Sequence, residues 1–238
     1  MCGRYTLTSF EHLGEWFGLS EPPPPGRPRF NIAPTQPVPI VANRAQRTLS
    51  VVRWGLVPSW AKDPSVGARM INARCESAAE KPAFRDALRR RRCLVVADGF
   101  YEWQRSSGGK RGGKQPFYVH RRAGEAFGMA GLWERWRAPD GSWLETCTIL
   151  TCDANELMAP IHHRMPVIVD RVDYDRWLSP EALPPQALDD LLAPPPVGDF
   201  EAYRVSPLVN SPHNDVPACV EPAQAPRPVQ RSLFDPEE

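Results

Sequence analysis

No stretch of the sequence approaches the roughly 18 consecutive apolar residues of a membrane-spanning helix, and the amino end lacks the basic-then-apolar pattern of a secretory signal. The expectation is a protein that neither enters a membrane nor leaves the cell and works in the reducing cytoplasm. Its 6 cysteines, at 2, 75, 93, 147, 152 and 219, contain no C-x-x-C pair, and no histidine stands at zinc-finger spacing from them. That argues against a metal centre and a disulfide framework. No metal and no cofactor is expected, and most of these thiols read as small core residues. No internal repeat is visible. Net charge is also nearly absent, at +1.

That small sum hides a division along the chain. Residues 1–120 carry 19 Lys and Arg against 9 Asp and Glu, and residues 121–238 carry 10 against 19. Of the 19 cations in the first half 15 are arginine, the side chain suited to two-pronged phosphate contact. A basic face on that half is therefore expected. The run "ALRRRRC" at 87–93 weighs less, because Arg89 to Arg92 fit equally well a solvated helix end near the negative pole of the dipole.

At 238 residues, 42% of them hydrophobic, the chain has room for one large core. "TLTSFEHLGEWFGLS" reads as a short helix: Thr8 and Glu11 have capping-box spacing, Phe10, Leu13, Trp16 and Phe17 form an apolar stripe, and Gly18 suits the stop. Val38 to Ala42 reads as an edge strand tolerant of proline. "TLSVVRWGLVPSW" reads as a second strand, and 81–92 as a helix with Pro82 in its first turn. "CLVVADGFYEWQ" has the near-continuous apolar character of a buried strand. Further strands are expected at "QPFYVHR", "AFGMAGLWERW", "TCTILTCDA", "MPVIVD" and "EAYRVSPLVN", with short helices at "ANELMAPIH", "YDRWLS" and "PQALDDLL". Strands dominate and do not alternate regularly with helices. The fold class expected is α+β: a mixed, largely antiparallel, barrel-like β core with peripheral helices, in one domain over 2–220. A proline-rich, flexible tail is expected at 221–238.

Several polar residues stand where packing does not ask for them. Glu102 lies between Tyr101 and Trp103 just after the apolar strand. Burial there disfavours the charged carboxyl, which suits general acid or base work, although a strand-end glutamate facing solvent is the commoner case. His162 and His163 precede Arg164 at a helix-to-strand junction. Such a histidine is either a proton shuttle or a structural hydrogen-bonder. Asn72, Arg74 and Glu76 alternate in "INARCES" and would share one face of a strand. Cys2 directly follows the initiator methionine. Removal of Met1 would leave an amine and a thiol on one residue. An α-amine with a pKa of about 7.7 to 8.0 is roughly 10% neutral at pH 7, far more than a lysine, so the pair is a trap for aldehydes or an acyl-transfer nucleophile. The plainer reading is a small residue at a frayed end.

Taken in order, "MCGRYTLT", "NIAPTQ", "RWGLVPSW", "INARCES", "DGFYEW" and "IHHRMP" resemble the SOS response-associated peptidase family, the abasic-site processing proteins. The likeness runs from Cys2 to about residue 210. It implies a β-rich domain that binds single-stranded DNA and joins Cys2, after removal of Met1, to the ring-opened aldehyde of an abasic site as a thiazolidine. By that resemblance Asn72 contacts the reacting sugar, Glu102 is the acid or base near the Schiff-base nitrogen, and His162 assists ring opening and crosslink reversal. His163 occupies a variable position and receives no role. Arg4, Trp54, Arg74 and Arg164 match positions of the DNA-contacting surface, Pro34 lies in a loop near the lesion, and Trp103 is an aromatic suited to cover bases. The resemblance also implies autopeptidase release of Met1, a candidate lyase side reaction, a monomer associated with the nucleoid when on DNA, and the replication machinery as a candidate partner.

Two alternatives belong to other classes. "MCG" also begins amidotransferases that attack glutamine with an N-terminal cysteine, a match of three letters only. A non-catalytic single-strand binding module would need no more than the arginines and aromatics.

Overall fold

The computed structural model describes residues 2–105 and 113–223. Five strands close a ring: β3 (Pro37–Ala42), β4 (Leu49–Trp54), β6 (Arg92–Ala97), β9 (Phe127–Arg137) and β10 (Trp143–Asp153). Around it β4 pairs β3, β3 pairs β6, β6 pairs β9 and β9 pairs β10, all antiparallel. The circle is completed by a short parallel contact in which Arg53 and Trp54 lie beside Thr146 and Cys147. Val38, Ile40, Trp54, Cys93, Val95, Met129 and Cys147 are all buried in the core. The register places them on one common face, where burial of each large side chain is worth about 1.5–3 kcal/mol.

A second, antiparallel sheet runs β13 (Phe200–Arg204), β8 (Lys114–Arg121), β7 (Gly99–Arg105), β1 (Tyr5–Leu7), β2 (Arg29–Ile32). Strand β6 runs into β7 through Asp98, so one stretch of chain serves both sheets. Asp98 fastens the junction: its buried carboxylate accepts from the Thr6 and Thr8 hydroxyls and from the Thr8 and Ser9 amides. The expected largely antiparallel, barrel-like core with few helices is what the chain forms. Among the described residues no helix is long and apolar enough to cross a membrane.

Several local expectations are corrected. The strand of Val38 to Ala42 is not at an edge, for β6 pairs it from Ile40 onward. Its prolines are admitted because Pro37 and Pro39 precede that pairing. Helix α1 is confined to Leu13–Phe17. Thr8 is spent on Asp98 and not on a capping box, while Gly18 does end the helix, at φ 59°. The helix expected over 81–92 is α3, Arg85–Arg90, and "ANELMAPIH" forms turns. Strand β5 is only Asn72–Arg74, because α2 (Cys75–Ala78) follows it at once, so Glu76 leaves a helix and not the strand face. The expected strand at 165–170 is two pieces, β11 (Arg164–Pro166) and β12 (Ile168–Val169), wedged between the splayed ends of β10 and β9. Helix α4, Tyr174–Trp177, falls within the segment expected to be helical. The segment 224–238 of the expected tail lies outside the described residues.

In the "ALRRRRC" run the solvated-end reading holds for Arg89 and Arg90, which are exposed. Arg92 is fully buried instead. It donates to the carbonyls of Leu88, Arg89, Trp177, Ser179 and Glu181 at 2.6–3.1 Å.

Candidate functional site

Cys2 lies three residues before β1, whose first residue, Tyr5, sits between Ile32 of β2 and Phe100 of β7. Cys2 is fully buried. Asn72, at the start of β5, donates from Nδ2 to the Cys2 carbonyl oxygen at 2.7 Å. Burial pushes the Cys2 thiol well above the ordinary range, and the charge of nearby Glu102 pushes it further. The sulfur is therefore a protonated thiol at neutral pH. Glu102 is only 2% exposed. Both faces of β7 are covered there. Tyr101 packs with Tyr118, Val205, Val209 and Cys219 on one side, and Glu102 acts electrostatically on Cys2 and His162 on the other. The glycine of "DGFYEW" has its own reason: a Cβ on Gly99 would lie 2.2 Å from the Tyr118 hydroxyl.

His162 arrives on the turn before β11. Gln104 ties that turn to β7 by donating to the Pro160 carbonyl at 2.8 Å. The His162 Nδ1 lies 3.0 Å from the Arg164 amide and 3.1 Å from the Arg164 carbonyl oxygen, accepting from the one or donating to the other according to the ring tautomer. Burial, opposed in part by Glu102, lowers its pKa below 6.5. His163 stacks on it with ring centres 4.4 Å apart. Gly3, Arg4, Glu102, Trp103, Arg105, Lys114, His162 and Asn210 line a cleft of about 370 Å³.

The remaining sequence-selected residues divide between rim and support. Arg4 is half-buried and reaches Asn31 Oδ1, Val209 O and Asn210 O at 2.7–3.2 Å. Trp103 donates to Asn210 Oδ1 at 2.7 Å. Arg74 is exposed at the end of β5, and Pro34 is half-buried on the loop after β2. Trp54 is fully buried: its indole donates to the Ile71 carbonyl at 2.8 Å, and its ring meets Tyr5 edge-on. It braces β5 and β1 from behind. Arg164 is also buried, its guanidinium held by both Glu76 oxygens at 2.7 and 2.9 Å, by Asp153 at 2.7 Å and by the Thr151 carbonyl. Sequence reading missed Asp153, Asn31 and Asn210. Asn31 stood in a quoted motif, but its partners lie about 180 positions away and no local pattern announces them.

The family model described as "SOS response associated peptidase (SRAP)" matches residues 1–212. The chain belongs to the SOS response associated peptidase family. Within it, the chain is 44% identical over 225 residues to "Abasic site processing protein YoqW" of Bacillus subtilis, covering 93% of this chain and 99% of that one. It is 34% identical to "Abasic site processing protein HMCES" of Gallus gallus, over 83% of this chain and 67% of the relative. A crystal structure of a Bacteroides thetaiotaomicron protein superposes with a TM-score of 0.82 at 26% identity, covering 94% of this chain and all of that one. In this SRAP chain the described cysteines are free thiols, all buried except the half-buried Cys75.

Proposed function

We propose that the chain processes abasic sites in single-stranded DNA, with Cys2, freed of Met1, as the residue that bonds to the lesion. The observation that carries this reading is that Asn72 holds Cys2, Glu102 acts on both Cys2 and His162, and Glu102 and His162 line a cleft together with Arg4, Arg105 and Lys114. The names of the SRAP relatives support it.

In the first step neutral His162 takes the proton of the C1′ hydroxyl while the sugar ring oxygen gains a proton from solvent water, so that the hemiacetal opens to an aldehyde and a free 4′-hydroxyl. The Cys2 amine then adds to C1′. The former carbonyl oxygen gains protons and leaves as water while the C=N bond forms, with the carboxyl of Glu102 beside the nitrogen to move the proton. Sγ adds to the same carbon, the S–H proton passes to nitrogen, and the thiazolidine closes. Aldehyde and aminothiol thus become thiazolidine and one water. A thiol held protonated by burial suits this order, because the amine attacks first. Exposed arginines hold phosphates without reading sequence.

The test is a denaturing gel of protein whose mass proves loss of Met1, mixed with an oligonucleotide bearing one abasic site. A heat-stable shifted band that needs both the lesion and Cys2 is expected. An equal band from Cys2→Ala, or none from the wild type, overturns the reading. Strand scission in the same lanes reports a lyase reaction, and autopeptidase activity is read from Met1 retention in a Glu102→Gln variant.

A further inference from the structure

The ring of strands is closed by β4 and β10 over only two residue pairs. Away from that contact the strands part: Leu49–Val52 pair with β3 alone and Trp143–Glu145 with β9 alone. The gap is a cleft of about 600 Å³ lined by Thr35, Pro37, Val51, Arg53, Arg135 and Trp143, among others. Trp143 is 52% exposed and Val51 63%. Arg135 lies over the Trp143 ring at 4.2 Å and Arg137 at 5.7 Å. Among the described residues no carboxylate forms an ion pair with Arg53, Arg135 or Arg137. The one acid lining the cleft, Glu145, is engaged by Arg44 at 2.7 Å.

An exposed indole beside three uncompensated guanidinium groups fits a single nucleic-acid strand, with a π-face for a base and cations for phosphates. No lining residue is common to this cleft and the candidate site, but hydrogen bonds through the core link the two. Thr35, a non-glycine residue held at φ 69°, follows Pro34 and donates from its amide to the Trp54 carbonyl. The Trp54 indole in turn touches Ile71, next to Asn72. Along β10, Trp143 is six residues from Ile149, the partner of Asn72, a distance of about 20 Å. A stacked strand crosses that span in about six nucleotides at ~3.4 Å each.

We propose that this cleft is a second DNA subsite, which holds the strand flanking the lesion through Trp143, Arg53, Arg135 and Arg137. The proposal rests on the single-stranded DNA reading above, but its test is independent of the crosslinking chemistry. Fluorescence anisotropy with a tetrahydrofuran abasic analogue, which has no aldehyde, is measured for a 7-mer and a 21-mer centred on the analogue. Trp143→Ala and Arg135→Gln/Arg137→Gln are expected to weaken the 21-mer about fivefold or more and to leave the 7-mer unchanged, with Trp143→Phe retaining affinity. Lengthening one arm at a time identifies the arm that occupies the cleft. Equal losses at both lengths, or none at either, overturn the subsite, the second outcome leaving the cleft to a protein partner or to nothing. Crosslinking of an aldehyde-bearing 7-mer by the same variants reads the proposed chemistry separately.

Discussion

Asn72 holds the backbone of Cys2 from a neighbouring strand, its Nδ2 donating to the Cys2 carbonyl, while its own Oδ1 is buried with no hydrogen-bond partner among the described residues. A buried acceptor left open beside a nucleophile is ready for a group that arrives with the substrate. Asn72→Ala is expected to slow crosslinking about 5- to 10-fold through loss of one buried hydrogen bond. Asn72→Asp is expected to be worse, since it turns the donor toward Cys2 into an acceptor. Single-turnover rates on a denaturing gel, compared with unchanged melting temperatures, test both.

His162 sets the acid side of the pH profile. Its folded pKa lies below 6.5 because burial disfavours the cation. Crosslinking that depends on the neutral ring should therefore hold down to a midpoint below pH 6.5, and His162→Ala should abolish that limb. Between the folded value and 6.5 the unfolded chain binds more protons. The group's contribution to stability is thus complete above about pH 6.5 and is lost as pH falls to the folded value. A histidine NMR titration with a midpoint at or above 6.5 would sink this account.

The pair of Glu76 and Arg164 predicts a signature in acid. The Arg164 hydrogen bond holds the Glu76 carboxyl below its usual range. A depressed carboxylate stabilises the fold fully above its unfolded value of about 4.3, and that part is lost as pH falls through the folded value. The stability gap between wild type and Glu76→Gln should be constant above pH 4.3 and close below it, as read from urea midpoints across pH. A gap independent of pH contradicts the pairing.

Arg92 carries a buried charge on carbonyl oxygens. Arg92→Ala would strand five carbonyls, two of them at the C-terminal end of α3, and is expected to cost about 3–5 kcal/mol. Arg89→Ala, exposed on the same helix, should stay within about 0.5 kcal/mol. Equilibrium urea unfolding of both compares the two directly.

Thiol reagents should reach Cys75 first. It is the half-buried cysteine, lifted to about 11 chiefly by burial, so alkylation should be slow at pH 7.5 and accelerate up to about that pH. Peptide mapping that finds Cys93 or Cys147 modified ahead of Cys75 in native protein would contradict the packing.

What could be read in advance was local. The apolar run "CLVVADGFYEWQ" was legible as one buried strand, because composition acts within a few residues, but the structure divides it at Asp98 into β6 and β7, and of the two readings open for Glu102 it takes the buried one. Short-range rules failed where a distant partner won. Thr8 had the spacing of a cap but was captured by Asp98, 90 positions on. Pro37 and Pro39 looked like edge markers, yet the ring closes just after them. Trp54 and Arg164, which the resemblance matches to a DNA-contacting surface, are both buried and hydrogen-bonded within the protein. The roles of Asn31 and Asn210 depend on chain brought together from opposite ends of the sequence, which no local pattern encodes.

Strand β1 is only three residues long and lies between β7 and β2 in its sheet. Its two neighbours are translated at different times, β2 almost at once and β7 about 95 residues later. At ribosomal speeds of about 5–20 residues per second, β1 waits roughly 5–20 s before its second partner strand exists. Until then β1 has only one of its two partners, so its place in the sheet is fixed only after β7 has been made.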